Sequence, residues 1–162
     1  MTQTPSGDLL ARLIAQETQL RFPDFTEADA WQIGVALTSA AQAASAPVVI
    51  NIRTPDRVLF HAALPGASPD NDHWARRKSN TVLRLHKSSM QVGESLRRKG
   101  GSLGPERGID PMDFADHGGS FPIRLTGGLM VGAITVSGLT SAEDHDLIVT
   151  TLTQHLGLAP TA

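Results

Sequence analysis

The sequence holds six histidines and no cysteine, so any metal chemistry would have to come from imidazole and carboxylate donors. His61, His73, His86, His117, His145 and His155 form no His-x-x-x-His or Glu-x-x-His pair, and Asp70 with His73 is the nearest approach to a ligand spacing on one helix. No metal site is expected. Ser120 beside His117 has the residue types of a nucleophile and its base, but no strand-to-helix elbow follows Gly118-Gly119-Ser120, which argues against a catalytic serine. The Gly118 and Gly119 amides could form a small anion nest, although a tight turn is the plainer role. There is no phosphate-binding Walker loop, and the glycines from Gly127 to Gly132 lack the strand and helix context of a dinucleotide fingerprint.

Charge is concentrated at the start of a predicted helix. Arg76, Arg77 and Lys78 sit where the helix macrodipole would favour acids, which points to an anionic ligand or partner; a solvated basic face is the plainer account. Spacings of three and four divide this helix into two stripes, Trp74, Val82, Leu85 and Ser89 on the core side and His73, Arg77, Asn80, Arg84 and Lys87 on the other. Asp70 or Asn71 is expected to cap it, and it should run to about Met90.

The elements that must position these groups can be read in order. Ser6 or Asp8 can cap a first helix with Leu9, Leu10, Leu13, Ile14 and Leu20 on one stripe, ending at Phe22-Pro23. Thr26 to Asp29 resembles a capping box and opens a second helix to about Ser45, with Trp31, Ile33 and Leu37 expected in the core. Val48 to Arg53 and Arg57 to His61 form a hairpin. A three-residue loop would pair Ile52 with Val58 and Ile50 with Phe60, at the cost of setting Arg53 opposite Arg57. Gly93 to Gly108 turns basic and then glycine-rich and reads as a mobile loop. A second hairpin spans residues 121–137 around a two-residue Gly127-Gly128 turn. Its register puts Phe121, Ile123, Leu125, Met130, Ile134 and Val136 on a core face, and leaves Arg124, Thr126, Val131, Ala133 and Thr135 to a covering helix, a ligand or another subunit. Thr140 to Glu143 is a capping box for the last helix.

A chain of this length is expected to be a single domain, 1–162, with an α/β (α+β) composition of elements. Its formal net charge of −2 offers no general attraction for nucleic acid or membrane, and no apolar run approaches the ~20 residues of a membrane span. The absence of cysteine and of a signal-like N-terminus fits a cytoplasmic protein.

The strings Trp74-Ala75-Arg76-Arg77-Lys78-Ser79-Asn80, His117-Gly118-Gly119-Ser120-Phe121-Pro122-Ile123-Arg124, Val131 to Leu139 and Glu143-Asp144-His145 resemble a family of bacterial and fungal proteins. That family belongs to the haem-degrading-domain superfamily, beside its HbpS-like and GlcG-like members. The resemblance covers residues 25–157 and leaves 1–24 as an N-terminal helical extension. It implies a profilin-like fold, an antiparallel sheet of about five strands with helices packed on it, the fifth strand lying between Gly100 and Ser120. It also implies a homo-oligomer, a dimer or larger ring, and haem as the possible cofactor. Haem would need an axial donor and basic groups for its propionates. His61, His73 or His117 with Arg76, Arg77 and Arg124 meet that in outline. The expected function is therefore binding of haem or another anionic small molecule near Trp74, Lys78, His117, Gly118, Gly119 and Ser120. A non-enzymatic oligomeric scaffold for protein interactions is the alternative, and the sequence leaves open whether any bond is broken.

Overall fold

The computed structural model describes residues 6–160, with side chains described from Leu9 onward; the expected first cap at Ser6 or Asp8 therefore lies outside the described side chains. Five α-helices and four strands follow in the order α1 (Ser6–Gln19), α2 (Glu27–Ala43), β1 (Val49–Arg53), β2 (Val58–Ala63), α3 (Pro69–Leu85), α4 (Ser89–Arg98), β3 (Ser120–Arg124), β4 (Met130–Ser137) and α5 (Ser141–His155), with one 3-10 turn at Pro105–Arg107. The sheet is antiparallel in the order β2-β1-β4-β3. Helices α2 and α5 pack on one face and α3 on the other, so both faces of this antiparallel sheet are covered. The main core lies on the α2/α5 side, where Ile33 and Leu37 of α2 and Ile148 and Leu152 of α5 meet Ile50, Ile52, Phe121, Ile134 and Val136 of the sheet.

Among the described residues there is no fifth strand. Residues 99–119 form turns, and the outer edge of β3 is met at one end by Ser89 Oγ, which accepts from Ser120 N at 3.1 Å, and at the other by Phe22, whose N–H donates to Arg124 O at 2.9 Å while its carbonyl accepts from Thr126 N at 2.8 Å.

Both hairpins close with a bulge, and each bulge alters the expected pairing. At the first, Thr54 N donates to Arg57 O across a two-residue turn, after which the register slips so that Arg53 faces Val58, Ile52 faces Phe60 and Asn51 faces His61. Arg53 and Arg57 are not opposed, and Arg57 instead pairs with Glu27 at the start of α2. At the second, Phe121 faces Ile134 and Ile123 faces Gly132 as expected, but Arg124 then faces Met130. The loop has three residues, with Gly128 N donating to Leu125 O and only Gly128, at φ +105°, in the left-handed region. The slip exchanges two side chains. Val131 packs against the main core, and Met130 crosses to the α3 side with Val82 and Ala133.

Three helical expectations also change. Trp31 is 63% exposed, its ring standing edge-on to Phe60 at 5.7 Å, and Ile14 of α1 is 47% exposed. Ser68, not Asp70 or Asn71, precedes α3 in a capping box with Asn71, whose Oδ1 accepts from Ser68 N at 2.9 Å. The helix stops at Leu85, short of the expected Met90, because His86 adopts φ 58°, and the chain restarts as α4, whose second half, Gly93 to Arg98, lies in the segment expected to be a loop. The cap of α4 is reinforced from α1: the buried Glu17 carboxylate accepts from Ser88 N and Ser88 Oγ, both at 3.0 Å.

Candidate functional site

A cleft of about 230 Å³ opens where the first turns of α3 meet the approach to β3 and the turn from β4 into α5. From α3 come Asp70, Asn71, Trp74 and Lys78; His117 and Gly118 form a second wall; Ser137, Gly138, Leu139, Ser141 and Asp144 complete it. This is the corner where the sequence reading expects a ligand.

Its floor is ionic. Lys78 is 2% exposed and donates to Val136 O at 2.7 Å, Gly118 O at 3.1 Å and Asp144 Oδ2 at 3.1 Å, one acceptor for each ammonium proton. Asp144 accepts in turn from Leu139 N at 3.0 Å and Gly138 N at 3.4 Å. Burial pushes the Lys78 ammonium down and the Asp144 carboxyl up in pKa, each opposed by the charge of the other. The two glycines make room for this pair. A Cβ on Gly119, at φ +126°, would come within 2.3 Å of Lys78 Nζ, and one on Gly118 within 2.4 Å of Ser141 O.

On the rim His117 lies edge-on to Trp74, ring centroids 5.0 Å apart, and the Arg77 guanidinium sits 4.5 Å from the Trp74 ring centroid on its face. His117 Nδ1 is 3.4 Å from Asp116 Oδ1. A carboxylate on that side favours the Nδ1–H tautomer and leaves the Nε2 lone pair as a donor for a ligand or metal.

The other expected groups are placed elsewhere. Arg76 is bound to Asp113 at 3.1 Å, and Arg77 donates to Pro111 O at 2.7 Å. With Asn80 donating to Asp113 O and Arg84 to Gly108 O, the basic stripe of α3 holds residues 108–114 against the helix. Arg124 donates to Gly128 O at 3.0 Å and to His86 O, away from the cleft. His61 faces Asp72 at 3.1 Å, and His73 is exposed; neither lines the cleft. Ser120 is fully buried with Oγ 2.8 Å from Thr135 Oγ1, which removes the serine-hydrolase reading, since no substrate reaches a sealed hydroxyl. The structure thus brings together Trp74, Lys78, His117 and Gly118 of the expected set and adds Asp144 and the residues 137–141. Among the described residues no group of three His, Asp or Glu could hold a metal ion.

Fold and cleft together define a small α+β domain with a buried lysine–aspartate pair under a histidine and tryptophan rim. The chain belongs to the haem-degrading HbpS-like family, whose model matches residues 25–153. It is 44% identical over 157 residues to a UPF0303 protein of Streptomyces coelicolor, covering 97% of this chain and 99% of that one. Among solved structures it is similar to the Ybr137w protein, with a TM-score of 0.81 and 30% identity over 96% of this chain and 90% of that one. It also shares its fold with PduOC, solved as a haem complex, with a TM-score of 0.68 and 21% identity over 80% of this chain and 93% of the other. No described helix is long and apolar enough to cross a membrane.

Proposed function

We propose that the protein binds a small anionic molecule at the His117–Trp74 rim, with haem as the ligand and His117 Nε2 as its axial donor. The observation that carries this reading is His117 itself. It is exposed, held against Trp74, and has a carboxylate on its Nδ1 side, the arrangement that prepares an imidazole to ligate through the other nitrogen. Family membership and the haem complex of PduOC support the choice of ligand.

The residues present fit haem in donor chemistry. Trp74 offers an aromatic wall beside the donor, and Arg77, which donates to Pro111 O and Phe114 O, keeps positive charge over that ring at the edge of the cleft. The floor supplies no free cation, because Lys78 is matched by Asp144. At about 230 Å³ the cleft is smaller than the roughly 300–1,000 Å³ of enclosing ligand sites, so one chain would hold part of a porphyrin and leave the rest to solvent or to a second subunit. Bound haem iron would supply redox and oxygen chemistry; the chain's own contribution is to present His117 at the rim with the Asp116 carboxylate near its Nδ1. Self-association belongs to the same reading, supported by the open outer edge of β2 beside exposed Trp31 and Val58.

The test is a haemin titration followed by absorption. A saturable, shifted Soret band is expected for the wild-type chain, and its loss or displacement in His117→Ala. Non-saturating binding, or an unchanged band in the variant, would sink the assignment.

A further inference from the structure

Outside the cleft, a groove of about 510 Å³ lies between α1 and α5, more than twice the cleft's volume and within the range of small-molecule sites. Arg12 and Gln16 of α1 form one wall, Asp146 and Val149 of α5 the other, and Leu158 and Pro160 after α5 close one side. Three features mark it as more than a seam between helices.

Its two charged groups are opposite in sign and unpaired. Arg12 and Asp146 both line the groove, yet neither forms an ion pair with the other or with any described residue. Its floor carries an oriented amide. Gln16 is only 6% exposed, and its Oε1 lies 2.7 Å from Nε2 of His145, itself 2% exposed and packed on Phe121. His145 Nδ1 is buried without a partner, so the ring proton belongs on Nε2, where Gln16 Oε1 accepts it. Burial holds this histidine neutral, with its pKa pushed down to about 4, so the donor persists at neutral pH. That fixes Gln16 Oε1 toward His145 and leaves the amide NH2 as a donor with no described protein acceptor. The third feature is apolar surface at Val149, Leu158 and Pro160 beside these polar groups.

From this arrangement we infer that the α1–α5 groove is a second binding site, taking a small zwitterion of the class of free α-amino acids with an aliphatic side chain. The ligand carboxylate meets Arg12 and the Gln16 amide, the ammonium meets Asp146, and the aliphatic group lies on Val149, Leu158 and Pro160. A ligand with one charge only would satisfy one wall and leave the other charge unmatched.

Calorimetric titration of the full chain with L-leucine at neutral pH tests this. Saturable binding of one equivalent is expected, with a Kd of about 1 mM or tighter. Arg12→Gln and Asp146→Asn change exposed side chains and should fold normally; each should weaken binding by about tenfold or more, a loss of about 1.4 kcal/mol. The amine 3-methylbutylamine and the acid 3-methylbutanoate, each keeping one charge, should bind at least about tenfold more weakly than leucine. His117→Ala should leave leucine affinity unchanged, which separates this site from the haem reading. Absence of saturable heat would overturn the proposal. So would equal binding of 3-methylbutanoate, which would make the groove a simple carboxylate site, or loss of leucine binding in His117→Ala, which would place leucine in the cleft.

Discussion

Lys78 Nζ and Asp144 Oδ2 lie 3.1 Å apart, each side chain about 3% exposed, and the pair ties α3 to α5 beneath the cleft. Removing either partner leaves an unmatched buried charge. Lys78→Ala and Asp144→Ala should each cost about 3–5 kcal/mol in urea unfolding, whereas the paired change Lys78→Met with Asp144→Leu should cost much less than the two single losses added. Single losses near zero would show that the pair does not join the layers.

His145 sets a pH dependence of defined sign. Its folded pKa is pushed down to about 4 by burial, with the nearby Arg12 charge adding to the effect, against about 6.5 unfolded. Its contribution is therefore present above pH 6.5 and lost as pH falls through 4, because the unfolded chain takes up the proton first. Over that window the loss is about 3 kcal/mol. Glu17 and Asp144 act with the opposite sign, since their raised folded pKa values favour folding below the usual carboxylate range and disfavour it as pH rises through the shifted values. The difference between wild type and His145→Leu, followed by urea unfolding between pH 7 and pH 4, isolates the histidine. The variant should lose less stability on acidification, and parallel curves would refute the assignment.

Gly34 of α2 faces the Phe60 ring so closely that an added Cβ would stand 2.4 Å from Cγ. The glycine is there to let α2 approach β2, with Trp31 closing over the other part of the ring at 5.7 Å. Gly34→Ala should destabilise by about 1–3 kcal/mol through overpacking. Adding Phe60→Leu should recover part of that loss in thermal unfolding; a purely additive pair would mean that the ring does not set the spacing.

What the sequence made legible follows from how local each signal is. The Thr26 and Thr140 capping boxes are four-residue devices and stand where their spacing puts them, Thr26 N donating to Asp29 Oδ2 at 2.7 Å and Thr140 N to Glu143 Oε2 at 3.0 Å. The pairing of Phe121 with Ile134 was legible for the same reason. The bulges were not, because one extra residue leaves no mark in an alternating pattern until the partner strand is known. Nor was the break at His86, where a non-glycine residue takes a left-handed conformation and Arg124, distant in sequence, donates to its carbonyl. In the site, the corner between Trp74 and His117 could be read, but the role of Lys78 could not. Ala75, Ser79 and Val82 are buried on the same side of α3, so Lys78 sits on the core face and requires a buried acid. That pattern was the available signal for Asp144. The macrodipole suggests an anion outside the chain for Arg76 and Arg77, whereas both bind the segment 111–114 of the same chain.

Trp31 departs most clearly from the expected burial and gives a way to test self-association. It is 63% exposed with its ring against Phe60 of β2, and Val58, the first residue of that strand, is 51% exposed; β2 is an edge strand that carries neither proline nor lysine to discourage pairing. If copies associate here, the wild-type chain should sediment as a dimer or larger species, and Trp31→Lys with Val58→Lys should move it toward the monomer by placing like charges across a symmetric contact. The variant should keep the wild-type helical circular dichroism, since both side chains project from the surface. A wild-type monomer would end the self-association reading, and an unchanged sedimentation coefficient in the variant would move the contact away from β2.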